Sequence, residues 1–330
     1  MKRLAILLLA VACALPAHAG KRYSYDRVGS TTDATNADTS PGVVLMGGGT
    51  EVDSSMQKLC AWANGGDFLV IRATGTDAYN PYLQDICPDL NSVATLIIPS
   101  RSAAADPFVA KTILEAEAIW IAGGAQDDYI NYWAGTPVQD ALNTSIGNGV
   151  PIGGTSAGLA VLTQYVYSAL VSKGVTSAQA LADPYNRYIT LARDFVDLPV
   201  LAGVIGDTHF ATRDRMGRAL AFLCRITNEG WDTAPHAIAV DEQAALEIPA
   251  QGPATVASDV GGSVYFLSSR QPAQYCEPKS PLTFRNVDVI RVGATGTFDL
   301  GTWTGSSGTA YQVSAESGVL SSTQADGSIY

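Results

Sequence analysis

Val150-Pro151-Ile152-Gly153-Gly154-Thr155-Ser156-Ala157-Gly158 joins a short apolar run to an apolar-periodic segment (Leu159, Val161, Leu162, Tyr165, Val166, Leu170). The order is strand, sharp turn, helix. At its centre stands Gly-x-Ser-x-Gly, formed by Gly154, Ser156 and Gly158. A turn this tight forces its central residue into strained backbone angles, and flanking glycines keep the neighbours from clashing. The serine is then exposed at a helix start, where backbone N–H groups can stabilise a developing oxyanion. The competing reading is a purely structural Gly-rich turn. The chain holds 32 glycines, so the motif alone would be weak. The strand before it and the helix after it favour a nucleophile.

Outward from this stretch the pattern repeats. Val43-Val44-Leu45-Met46, Phe68 to Ile71, Thr95 to Ile98 and Ala118 to Ile121 read as short buried strands. Helical segments fall near Ser54 to Asn64, Asp106 to Glu117, Pro137 to Gly147 and Arg213 to Thr227. Apolar strands alternating with helices predict an α/β fold with a mainly parallel sheet and helices on both faces. Ligands in such sheets sit at the carboxyl ends of the strands. The turns Gly47-Gly48-Gly49 and Gly123-Gly124 fall there, with Ser156. The later runs Thr255-Val256, Ser263 to Leu267 and Val287 to Ile290 read as added C-terminal antiparallel or edge strands.

Met1-Lys2-Arg3, the apolar run Leu4 to Pro16 and Ala17-His18-Ala19 form a charged region, a short hydrophobic region and an Ala-x-Ala cleavage site. Residues 1–19 are therefore read as a signal peptide cut after Ala19, giving a secreted or periplasmic protein with no membrane attachment after removal. Residues 20–41 read as a flexible leader, 42–300 as one domain, and the Ser/Thr/Gly-rich 301–330 as a loosely ordered tail. The chain has 31 acidic and 20 basic residues. Loss of Lys2 and Arg3 leaves 18 bases against 31 acids, a formal charge of −13 instead of −11. So acidic a protein is a poor candidate for nucleic-acid binding. Four cysteines remain: Cys60, Cys87, Cys224 and Cys276. They allow three pairings. Cys60 with Cys87 and Cys224 with Cys276 is favoured, because each pair lies within one half of the chain; buried free thiols are the alternative. No Cys-x-x-Cys or His-x-x-x-His spacing suggests a metal. The glycine turns spell neither Gly-x-Gly-x-x-Gly nor a Walker sequence, so no cofactor is expected.

A serine nucleophile needs a base. After the signal only His209 and His236 are available. His209 closes Val204-Ile205-Gly206-Asp207-Thr208-His209, at the end of an apolar strand. His236 precedes a strand and belongs at the opposite end of the sheet. His209 is therefore the expected base. Asp207, Asp241 and Glu242 are the candidates for the carboxylate that fixes its tautomer. The oxyanion donors would be Ala157 and a glycine-turn residue, Gly124 or Gly48. Arg213, Arg215 and Arg218 read either as a solvated helix face or as a clamp for substrate carboxylates.

Together these residues resemble the cyanophycinase branch of the serine peptidase family that includes aspartyl dipeptidase (peptidase family S51). The markers are Gly47-Gly48-Gly49, Gly123-Gly124-Ala125-Gln126, Gly153 to Gly158, Asp207-Thr208-His209-Phe210 with the three arginines, and Val240-Asp241-Glu242. Pro281-Leu282-Thr283 and Phe298-Asp299-Leu300 also look like the family's closing strands. The resemblance implies a class I glutamine amidotransferase-like (flavodoxin-like) fold. It implies Ser156 as nucleophile, His209 as base and Glu242 as carboxylate, with Gln126, Asp207, Thr208, Arg213, Arg215 and Arg218 at the substrate. It also implies hydrolysis of cyanophycin, a poly-aspartate backbone carrying arginine on each β-carboxyl, to β-Asp-Arg dipeptides. The family usually has glutamine where this chain has Thr208, which removes a long amide from the substrate contacts. The alternatives are a related peptidase or amidase acting on other β-aspartyl or acidic peptides, and an inactive binding protein on the same fold. Beyond substrate, a homodimer stays open.

Overall fold

The computed structural model describes residues 22–34, 38–171 and 174–330. The segment read as a signal peptide lies outside them. In chain order the strands are β1 (Ser24–Gly29), β2 (Gly42–Met46), β3 (Asp67–Arg72), β4 (Ser92–Ile97), β5 (Ala118–Ile121), β6 (Ile152–Thr155), β7 (Tyr165–Tyr167), β8 (Leu191–Arg193) and β9 (Val204–Asp207). They continue with β10 (His236–Val240), β11 (Ala244–Pro249), β12 (Ala254–Ser258), β13 (Val264–Ser268), β14 (Phe284–Val292), β15 (Thr297–Asp299), β16 (Thr304–Gly305), β17 (Thr309–Glu316) and β18 (Val319–Ser322). The helices are α1 (Asp53–Ala63), α2 (Tyr79–Ile86), α3 (Arg101–Ala104), α4 (Pro107–Leu114), α5 (Gln126–Trp133), α6 (Pro137–Gly147), α7 (Ala157–Ala160), α8 (Ser177–Ala182) and α9 (Met216–Asn228).

The strands form two hydrogen-bonded sheets. The first has the order β1-β4-β3-β5-β6-β2-β11-β12-β15-β16, and the second β18-β17-β14-β13-β10-β9-β7-β8. In the first, β4, β3, β5, β6 and β2 pair in parallel. Their apolar runs are explained by burial on both faces. Val44, Met46, Phe68, Val70, Ala118 and Trp120 pack with Met56 and Leu59 of α1 and Leu83 of α2. Alternate residues, Val43, Leu45, Leu69, Ile71, Ile119 and Ile121, face a second core with Val109, Ile113, Val138 and Leu142 from α4 and α6. That core also takes Val204, Ile238, Val240, Val264 and Phe266 of the second sheet, so it joins the two sheets. The opposite face of the second sheet packs on α8 and α9 through Leu181, Leu220 and Leu223. The fold is thus mixed α/β with a mostly parallel core, and β11 to β18 are added antiparallel strands.

Helix starts follow their local chemistry. Asp106 accepts from the Phe108 N–H and Thr136 from the Val138 N–H, each followed by proline at the first helical position. The disulfides are Cys60–Cys87, tying α1 to the end of α2, and Cys224–Cys276, tying α9 to the segment before β14.

Four expectations need revision. The strands form two sheets instead of one, and β9, which leads to His209, lies in the second. The leader carries β1, which pairs antiparallel with β4 and is pinned by an Arg27–Asp67 ion pair at 2.9 Å. The tail carries β17 and β18: Tyr311, Val313 and Ala315 are buried on alternate positions, a period-2 pattern hidden among Ser, Thr and Gly. The helix after Ser156 is one turn, α7, and residues to Tyr167 turn back into β7. The Thr163 hydroxyl donates to the Tyr165 carbonyl at 2.8 Å and accepts from the Gly206 N–H at 2.9 Å, which binds this stretch to β9. Its apolar residues are buried on every side, not along one helical face.

Candidate active site

Ser156 sits between β6 and α7 with φ 52° and ψ −114°, outside the regions an L-residue favours. The flanking glycines are required by close approach. A Cβ at Gly158 would lie 1.9 Å from the Ile121 carbonyl oxygen, and one at Gly154 would lie 2.6 Å from the Gly158 carbonyl carbon. The Ser156 N–H donates to the Met46 carbonyl at 3.0 Å, so the turn is also fixed to the end of β2.

His209 follows β9 and is buried, with φ 47°. Its N–H donates to the Gly47 carbonyl at 2.8 Å, and the next N–H, of Phe210, donates to the Val240 carbonyl at 3.2 Å. These bonds hold the ring between the sheets. Its Nε2 lies 2.7 Å from Ser156 Oγ, and its Nδ1 lies 2.5 Å from Glu242 Oε1. A carboxylate oxygen can only accept, so Nδ1–H donates to Glu242 and Nε2 accepts the serine proton. Burial lowers the His209 pKa from 6.5; the Glu242 hydrogen bond opposes this, and the Arg213 and Arg215 charges reinforce it. The ring is thereby kept neutral near pH 7, the form a general base requires.

The three candidate carboxylates take separate roles. Glu242 faces His209. Asp241 accepts from the Ala211 N–H at 2.9 Å and the Ser263 N–H at 3.1 Å, so it fastens the His209 loop to the residue that leads into β13. Asp207 faces Arg218: both are buried, and the guanidinium grips the carboxylate with two hydrogen bonds, the Nε one at 2.8 Å. Arg215 donates to the Thr208 carbonyl at 2.7 Å and Thr208 Oγ1 at 3.1 Å, and it lies 3.6 Å from Asp207. Burial brings the Arg215 pKa down to about 10. Arg213 is the exposed arginine, with its Nε 3.6 Å from Glu242 Oε1 and its side chain 51% exposed. The triplet is therefore neither a uniform helix face nor three free cations. Gln126 Nε2 donates to the Tyr167 carbonyl at 2.6 Å.

The glycine turns border the relay. A Cβ on Gly48 would fall 2.3 Å from His209 Cε1, whereas one on Gly123 would fall 3.6 Å from Ser156 Cβ. The Gly123-Gly124 turn thus runs beside Ser156, and Gly48 lies under the His209 ring. Ala157, the residue after Ser156, is buried at the first position of α7. His236 stands at the start of β10 against Trp303, with ring centroids 3.9 Å apart. Because β9 and β10 run parallel, it lies at the opposite end from His209. Sequence reasoning missed the ion pair of Arg213 with Glu242 and the buried pairing of Arg218 with Asp207; the spacing Asp207–Arg218 across a turn carries no periodic signal. Among the described residues no group of three or more His, Cys, Asp or Glu is placed to hold a metal ion.

Comparison with known proteins places residues 70–182, well under half the chain, in a match to the model of Peptidase family S51. The match includes Ser156 and stops before His209 and Glu242. Nothing among curated proteins matches the chain. Solved structures are also similar to this chain, among them these two. A peptidase from an acI-B1 Actinobacterium shares 17% identity, with a TM-score of 0.49, over 69% of this chain and 92% of its own. A putative peptidase E protein from Listeria monocytogenes EGD-e shares 12% identity, with a TM-score of 0.40, over 67% of this chain and 99% of its own.

Proposed function

We propose that this chain is a serine peptidase of family S51 that works through an acyl-enzyme on Ser156. The observation that carries the reading is the relay Ser156 Oγ–His209 Nε2–His209 Nδ1–Glu242, closed at 2.7 and 2.5 Å. Ser156 Oγ attacks the scissile carbonyl while His209 Nε2 takes its proton and hands it to the leaving amine. Glu242 holds the tautomer and stabilises the imidazolium. Water then repeats the steps to release the acyl group. The proposed oxyanion donors are the N–H groups of Ala157 and Gly124. On this reading the parallel half of the fold is the class I glutamine amidotransferase-like arrangement.

The substrate we propose is cyanophycin, cut as an exopeptidase to β-Asp-Arg dipeptides, in an exported enzyme. Arg213 and Arg215, beside the relay in an otherwise acidic protein, suit an aspartyl carboxylate. Gln126, Asp207, Thr208 and Arg218 complete the proposed substrate side, with Asp207 and Thr208 acting through their Arg215 contacts and Arg218 through Asp207. Two disulfides suit an oxidising compartment. The buried Asp207–Arg218 pair and Thr208 keep a second reading open, a related peptidase acting on other acidic or β-aspartyl peptides. A fluorophosphonate probe should label wild-type protein at Ser156 and leave Ser156→Ala unlabelled, and mass spectrometry of cyanophycin digests should show β-Asp-Arg. No label and no cleavage would refute the enzyme. Label without β-Asp-Arg would refute the substrate alone.

A further inference from the structure

α9 begins without a cap from its immediate neighbours. Arg215, at the capping position, makes no side-chain capping bond. The first donors of the helix are met from far away in the chain. The Met216 N–H donates to Tyr330 Oη at 2.8 Å, and the Gly217 N–H to Ser177 Oγ at 3.0 Å. The Tyr330 hydroxyl in turn donates to Asp214 Oδ1 at 2.8 Å. One phenol thus holds both the helix start and the loop before it. Its ring lies edge-on to Phe210, with centroids 5.6 Å apart, and edge-on to Tyr265 at 6.0 Å. Phe210 is fully buried and adjoins His209.

The loop held in this way is strained at both ends. His209 and Asp214 each have φ 47°, a region that L-residues adopt only when their surroundings over-determine it. Local bonds run from the Arg213 N–H to the His209 carbonyl and from the Asp214 N–H to the Ala211 carbonyl. The Tyr330 hydroxyl reaches the Asp214 side chain across 116 positions of sequence, and the Ser177 hydroxyl donates to the Asp214 carbonyl. We infer that Tyr330 is a positioning residue for the relay: it fixes the strained turn that carries His209 and Arg213, and so aims the His209 ring at Ser156. The inference rests on the reading of Ser156 and His209 as nucleophile and base.

The test is the second-order rate of fluorophosphonate labelling at Ser156, followed across pH in Tyr330→Phe, Asp214→Ala and the double variant, at a temperature well below each melting point. Tyr330→Phe keeps the ring and removes the hydroxyl. It should label roughly tenfold more slowly, a fraction of the ~100-fold that a 1 Å misplacement costs. Asp214→Ala should act alike, and the double variant should be no slower than the worse single one. Asp214→Asn retains the acceptor oxygen and should label at close to the wild-type rate, a rescue that lost stability would not give. Wild-type labelling in Tyr330→Phe, or losses that multiply in the double variant, would overturn the inference. If Tyr330→Phe does not fold, Asp214→Ala against Asp214→Asn decides the same point. A wild-type protein that takes no label overturns both the inference and the reading beneath it, whereas a labelled wild type with unaffected variants overturns the inference alone.

Discussion

Gly48→Ala introduces one methyl group into a place with no room for it. At Gly48 φ is +102°, and an added Cβ would lie 2.3 Å from His209 Cε1 and 2.5 Å from Nε2. Ordinary contact needs about 3.4 Å, so the imidazole or the loop must give by about 1 Å. The ring cannot yield without loss, because Nδ1 is held by Glu242 and the backbone N–H by Gly47. A displacement of that size from a near-attack geometry costs on the order of 100-fold in rate. The backbone conformation adds strain of roughly 1–3 kcal/mol for a residue with a side chain. The expected outcome is kcat/KM on a β-aspartyl peptide lowered by about two orders of magnitude, with a melting point only a few degrees lower. Gly147→Ala, where an added Cβ meets nothing within 4 Å, is the matching control and should behave as wild type. A folded Gly48→Ala protein with kcat/KM within about threefold of wild type would refute the placement of His209 over this turn.

Three further outcomes separate neighbouring groups. Glu242→Gln should lower kcat steeply at an unchanged melting point, whereas Asp207→Asn leaves the buried Arg218 charge unpaired and should cost about 3–5 kcal/mol of stability by denaturant unfolding; equal stability losses in the two would reverse these roles. Arg213→Gln removes a cation that helps hold the His209 pKa down, so the acid limb of the kcat/KM–pH profile should move to higher pH, and a limb that stays or moves lower counts against it. Glu117 is raised to about 7, chiefly by burial, so the folded state binds more protons than the unfolded one between its ordinary 4.5 and 7. Stability from this group is present below 4.5 and lost as pH rises through 7, and the melting-point advantage of Glu117→Gln over wild type should grow from pH 5 to pH 8.

Much of this arrangement is legible in the chain. The parallel strands announce themselves as fully apolar runs because both faces are covered, and the Gly-x-Ser-x-Gly turn follows from one of them. His209 could be separated from His236 because one follows a strand and the other precedes one. The carboxylate was not separable on local grounds: Asp207, Asp241 and Glu242 all stand at strand ends, and only the path of the chain between sheets decides which one meets the imidazole. The division into two sheets is equally silent, since a strand's sequence records burial and not its neighbours. Residues 24–29 and 309–316 were obscured by the Ser-, Thr- and Gly-rich runs beside them, although Tyr311, Val313 and Ala315 keep the alternation of a half-buried strand. The one-turn α7 was hidden for the opposite reason: residues buried on all sides fit a helix, a strand or neither. Tyr330 gives no local signal, because the partners of its hydroxyl, Met216 and Asp214, are more than a hundred residues away.

The crossing at Asp241-Glu242-Gln243 has a mechanical consequence. β10 belongs to one sheet and β11 to the other, and Glu242 lies on the short span between them. Ser156 rides on the first sheet and His209 on the second. In the relay proposed above, proton transfer depends on the spacing between two sheets, each with its own ladder of hydrogen bonds, and works as a gauge of their alignment. A small shear between them would silence turnover while each sheet kept its own ladder of bonds. In a mild denaturant titration, catalysis would then fade at concentrations where the far-ultraviolet circular dichroism is still that of the native protein.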